Sequence, residues 1–144
     1  CLINAGNILE LYVWSQASET GFFDDCKANF YFEWESGITN ELDVILTKGL
    51  SSLVVSCKTA KFNKEHLYEI SSLTNLFSVN SQPVIFYSSK LAVDDSGKLT
   101  SDLSAVKARA HSMGIYLIDL YELDALNMSL GEKLVRIAEN KDKP

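Results

Sequence analysis

The sequence predicts an α/β fold, a mixed β-sheet flanked by helices in the order helix, three strands, helix, strand, helix, strand, helix. Three observations carry this prediction. Polar and apolar residues alternate over 28–35, and two more strand-like runs, 40–46 and 53–59, are separated only by a turn around Lys48 and Gly49, which gives an antiparallel meander. Leu67, Ile70, Thr74 and Phe77 then recur at helical spacing. Finally, the apolar runs 83–87 and 115–118 are each reached across a helical stretch, as parallel crossovers require.

The first helix runs from Gly6 to about Gln16. Ile8, Leu9, Leu11, Tyr12, Val13 and Trp14 are apolar almost all round its wheel, so it is expected to be buried on most sides. Glu10 lies inside this run, where a carboxylate is costly unless paired, hydrogen-bonded or metal-bound. The plainer alternative is a first-turn Glu eased by the helix dipole. In the strand 28–35, Phe30, Phe32 and Trp34 are expected in the core, and Glu33 and Glu35 in solvent, before the turn Ser36-Gly37-Ile38-Thr39. The helix Asn63 to Ser78 puts His66 near its apolar side, as a core histidine rather than a ligand, with Glu69 at the edge of that face and Glu65 further out. After the strand Pro83–Tyr87 come an exposed loop at Asp94-Asp95-Ser96-Gly97 and a helix from about Asp102 to Ser112, stopped by Gly114. The strand Ile115–Ile118, a closing helix Leu130–Glu139 and a charged tail expected to fray complete the chain.

The stretch from Asn40 to Thr59 carries polar residues that plain core strands would not choose. Along the second strand Leu53, Val55 and Cys57 point one way and Val54, Ser56 and Lys58 the other, so Ser56 and Lys58 sit side by side. Along the first, Glu41, Asp43 and Ile45 share a face, and Asp43 is flanked by Leu42, Val44, Ile45 and Leu46. An acid on one strand and a lysine on its hairpin partner converge on one point. Cys57 faces away from Lys58, which argues against it as a nucleophile.

With 144 residues and 47% hydrophobic content, residues 1–144 fit a single domain with a full core. The chain starts at Cys1 without an initiator methionine, so it is expected to be a piece of a longer protein or a processed product. A net charge of −6 argues against a protein that coats nucleic acid through a basic patch. No run of about 18 apolar residues and no signal peptide is present, so no membrane partner is expected. Three cysteines are too few and odd in number for a disulfide framework, and the expected setting is a reducing cytoplasm.

An acid in one strand followed by residue-x-Lys in the next resembles the PD-(D/E)xK superfamily of metal-dependent nucleases. Gly6-Asn7-Ile8-Leu9-Glu10-Leu11-Tyr12-Val13, Asn40-Glu41-Leu42-Asp43-Val44 and Ser56-Cys57-Lys58-Thr59 occur in the order of one branch. That branch is the C-terminal nuclease domain of the CRISPR ancillary nucleases, whose N-terminal CARF domain senses cyclic oligoadenylate. The resemblance spans Gly6 to Leu123 and implies a restriction-endonuclease-like core that hydrolyses phosphodiester bonds of DNA or RNA in antiviral defence, as a homodimer. Cyclic oligoadenylate would act only through a sensor domain outside these residues. The implied cofactor is Mg²⁺ or Mn²⁺, with Asp43 as central ligand, Glu10 contributing directly or through water, and the backbone carbonyl of Cys57 completing the protein side. Lys58 would sit on the attacking water or the phosphate.

One position departs from the family. Ser56 stands where the family usually has an acid, and a hydroxyl is a much weaker ligand. Either the missing carboxylate comes from the following helix, with Glu69 the candidate and Glu65 the reserve, or the site is degenerate and the module serves nucleic-acid docking or dimerisation. Glu41 is a further possible ligand, against the reading of a solvated strand end. A third reading is an unrelated α/β domain in which Asp43 and Lys58 form a structural ion pair.

Overall fold

A computed structural model describes residues 5–33, 35–37, 39–58, 63–77, 80–88 and 103–144. Along the chain lie α1 (Ala5–Glu19), β1 (Asp25–Glu33), β2 (Thr39–Lys48), β3 (Ser51–Lys58), α2 (Lys64–Phe77), β4 (Ser81–Tyr87), α3 (Leu103–Ser112), β5 (Tyr116–Asp119), α4 (Leu120–Ala125) and α5 (Leu130–Ala138). The five strands form one sheet in sequence order, β1-β2-β3-β4-β5. β1, β2 and β3 pair antiparallel, and β3, β4 and β5 pair parallel across α2 and α3, which is the predicted mixed sheet. The expected loop at Asp94–Gly97, Cys1, Trp34 and Thr59 lie outside the described residues, as does the side chain of Phe32.

Two apolar layers sandwich the sheet. On one face Val13 and Ala17 of α1 and Leu134 and Ile137 of α5 pack against Val44, Leu46, Val55 and Phe86. On the other, Leu67 and Ile70 of α2 and Val106 and Ala110 of α3 pack against Ile85 and Tyr87. Each large side chain taken out of water here contributes roughly 1.5–3 kcal/mol. The two outer helices approach closely where α5 begins. A Cβ on Gly131 would come within 2.7 Å of both the Gln16 carbonyl oxygen and a Thr20 methyl, so this position tolerates only glycine without a shift.

Several expectations need correction. α1 is not buried on most sides: Ile8 is 55% and Leu11 51% exposed, and Tyr12 and Trp14 are also exposed. The sheet and α5 cover one side of α1, and no described residue covers the outside. Phe77 was expected on the buried face of α2 but lies at the exposed end of that helix, with its ring 6.0 Å from Phe30. α4 was not predicted. Asp119 caps it by accepting the Tyr121 N–H at 3.1 Å, and the Asp119-x-x-Glu122 spacing is the sequence signal for such a start. The tail does not fray, because Asp142 accepts from Lys133 Nζ at 2.7 Å and Arg136 Nε at 3.0 Å and so ties residues 139–144 to α5.

Candidate active site

Asp43 stands where two ladders fail. On one side, the β1–β2 register passes from Ala28–Val44 to Phe30–Leu42 and omits Asn29–Asp43. Asn29 has φ +53°, in the left-handed region that Asn tolerates better than most residues. On the other side the β2–β3 ladder ends at Val44–Val55, while β3 continues beside β4 as far as Lys58–Tyr87. β2 and β3 therefore fork at Asp43.

The break also resets which way side chains face. Ala28 and Val44 pack on the α1 side, whereas Phe30 and Leu42, one pair further, pack on the α2 side with Ile45, Val54 and Leu73. Unbroken alternation would have kept Leu42 with Val44. The alternation that would have set Leu42 beside Val44 is corrected on this point, while Ile45 packs with Val54 and Leu73 on the α2 side. Glu41 and Asp43 nonetheless both line one cleft.

Backbone and hydroxyl donors occupy the fork. The Cys57 N–H donates to Asp43 Oδ2 at 2.7 Å, replacing a ladder bond that the diverging strand no longer offers. Ser56 Oγ–H donates to the same oxygen at 3.4 Å, a much weaker contact. Beyond them opens a cleft of about 60 Å³ walled by Glu41, Asp43, Ser56 and Lys58 from the fork and by His66 and Glu69 from α2, over apolar Val54, Ile70 and Leu73. The Cys57 side chain packs on the opposite face, against the α1-side core. Burial holds its thiol well above the ordinary range, helped by the charges of Asp43 and Glu10, so it is no nucleophile at neutral pH.

The site gathers more negative charge than it neutralises. Burial raises the Asp43 carboxyl above its ordinary value, against the Cys57 N–H and the Lys58 charge, which pull it down. Glu10, on α1, is only 8% exposed. Its carboxyl is pushed up to about 7, first by burial and then by the charges of Asp43 and Glu41. Glu10 does not line the cleft; it acts on Asp43 from the α1 side. Its Oε2 is buried without a hydrogen-bond partner, where a bound cation or a proton would satisfy it. Glu41, the third acid, accepts the Tyr31 hydroxyl at 2.9 Å.

Of the other residues singled out in the sequence, Glu69 lines the cleft and Glu65 does not. Glu65 is exposed on the first turn of α2, its N–H donating to the Asn63 side chain at 3.0 Å. Asp43 and Lys58 make no ion pair within 4.0 Å, and none appears among the described residues for Lys58. Among the described residues no three His, Cys, Asp or Glu side chains converge closely enough to hold a metal ion as they stand. His66 was expected in the core; it lies instead half-buried in the cleft wall.

Against known proteins, the Card1-like endonuclease domain matches residues 2–137. The chain belongs to this family. None of the curated proteins matches it. Among solved structures, the Vibrio cholerae protein VC1899 superposes with a TM-score of 0.71 at 21% identity, over 96% of this chain and 35% of that one. Can2 from Sulfobacillus thermosulfidooxidans, solved in complex with cyclic tetra-adenylate, gives 0.67 at 23% identity, over 91% of this chain and 35% of its own. At these identities the likeness is one of fold. The Card1-like domain described here spans about a third of the length of either protein.

Proposed function

We propose that this domain is a divalent-metal-dependent nuclease that hydrolyses phosphodiester bonds of DNA or RNA in CRISPR-linked antiviral defence. The observation that carries the reading is the fork itself: Asp43, oriented by the Cys57 N–H, shares the cleft with Lys58, and its charge reaches Glu10, whose Oε2 is buried without a hydrogen-bond partner. These residues suit a hard cation. Mg²⁺ or Mn²⁺ would be held by Asp43, Glu10 and the Cys57 backbone carbonyl, with Glu69 supplying the carboxylate that Ser56 lacks and water filling the remaining positions. Such an ion supplies Lewis-acid charge to the phosphate and lowers the pKa of a bound water.

The protein's own residues do the rest. Asp43 and Glu10 offset the ion's charge from a partly dry site. Lys58 places a fixed positive charge where negative charge builds on the phosphate oxygens. Val54, Ile70 and Leu73 keep the cleft floor dry, which strengthens each of these interactions. Lys58→Ala tests the reading, with loss of cleavage of labelled DNA and RNA in Mn²⁺ and an unchanged unfolding midpoint as the expected result. Cleavage at the wild-type rate would overturn it.

A second reading, a degenerate module that docks nucleic acid or dimerises, draws on Ser56 and on the lack of three converging ligand side chains among the described residues. It expects no cleavage by the wild-type chain with any divalent ion.

A further inference from the structure

His66 lines the cleft, and the proposed chemistry leaves it without a role. It sits at the third position of α2, and its Nδ1 accepts the backbone N–H of Asn63 at 3.1 Å. Asn63 Oδ1 in turn accepts the Glu65 N–H at 3.0 Å. This is a reciprocal capping box with an imidazole where Glu or Gln usually stands. Because Nδ1 faces an N–H donor, the ring proton is on Nε2. No hydrogen bond from that nitrogen is found among the described residues, and His66 lines the same cleft as Ser56 and Lys58. Gln or Glu would cap the helix as well, so capping does not explain why an imidazole is held here. A side chain fixed by its own helix start, with one N–H left over in a cleft that already holds a lysine, is preorganised to donate to an anionic oxygen.

We propose, on the nuclease reading, that His66 contacts the substrate, its Nε2–H donating to a phosphate oxygen of the bound nucleic acid from the α2 wall while Lys58 acts from the β3 wall. Two donors from opposite walls fix the orientation of one phosphate, where a lysine alone is a mobile point charge.

The test separates this role from capping. With the full chain, affinity for a fluorescein-labelled DNA oligonucleotide and its RNA counterpart is measured in EDTA, cleavage in Mn²⁺, and the thermal midpoint for each variant. His66→Ala should lower the midpoint, weaken binding of the preferred oligonucleotide about tenfold and lower kcat/KM by at least as much. His66→Gln, which keeps an acceptor for Asn63 and an N–H for the cleft, should restore most of all three. Asn63→Ala loosens the same helix start but leaves the imidazole in place; it should lower the midpoint with affinity unchanged. If His66→Ala binds and cleaves within twofold of wild type, or if Asn63→Ala weakens binding as much as His66→Ala, the assignment is wrong and His66 is only a cap. A wild-type chain that cleaves and depends on Lys58 but not on His66 sinks this inference alone. A wild-type chain that neither binds nor cleaves either oligonucleotide sinks it together with the nuclease reading.

Discussion

The backbone N–H of Cys57 donates to Asp43 Oδ2 at 2.7 Å, at the point where β2 and β3 have already parted. A carboxylate proposed as the central metal ligand is thus oriented by main chain rather than by another mobile side chain.

Asp43 substitutions should split shape from charge. Asp43→Asn retains an acceptor for the Cys57 N–H and removes one of three neighbouring negative charges, so urea unfolding should give a stability equal to or slightly above wild type. Asp43→Ala leaves that N–H without its partner at a half-buried position and should cost about 1–3 kcal/mol. Cleavage should be lost in both.

Glu10 is expected to trade stability for metal binding. Its folded-state pKa, about 7, lies above the ordinary value of 4.5. The stability it contributes is therefore full below the lower value and disappears as pH rises through the higher one, after which the fold carries a buried charge. At pH 8 in EDTA, Glu10→Gln should be more stable than wild type, by about 3 kcal/mol at most by the linkage relation and less where solvent screens the charge. Adding Mn²⁺ should raise the wild-type melting temperature and raise that of the variant much less.

The hairpin was legible in the sequence because strand alternation is local: it put Ser56 and Lys58 on one side and Cys57 on the other, as the structure has them. The element order was legible for the same reason. The break at Asn29 and Asp43 was not. An isolated asparagine at positive φ leaves no periodic trace, and alternation carried across it gives the wrong face for Leu42. The exposed outside of α1 was missed because an apolar wheel shows what a helix can bury, not what covers it. α4, six residues long, is too short for a period and was marked only by its Asp119 cap. His66 was misread because helical spacing places a residue near a face, whereas lining the cleft depends on where β2 leaves β3.

Asp142 should give the tail a pH signature. Its carboxyl is held below the usual range by hydrogen bonds from Lys133 and Arg136. A depressed folded pKa gives stability that is present above the unfolded value of about 4 and is lost as pH falls through the folded one. The side chain of Asp142 is 15% exposed and that of Arg136 40%, so the pair is partly screened. Asp142→Asn should cost about 1 kcal/mol at neutral pH, with the difference from wild type closing in acid unfolding below about pH 4.

The α2 glutamates should behave differently. Glu69 lines the cleft and Glu65 does not, so Glu69→Gln should lower Mn²⁺-dependent cleavage at least tenfold and Glu65→Gln should leave it within twofold. Equal effects would remove Glu69 from the ligand set.

The most direct test of the central claim, that the fork at Asp43 is a metal site, is an anomalous difference map from crystals soaked in Mn²⁺. The account predicts a peak bonded to Asp43 and the Cys57 carbonyl oxygen, with Glu10 or Glu69 as a further ligand. An open cleft with ordered side chains and no peak would contradict it and leave the degenerate module as the better description.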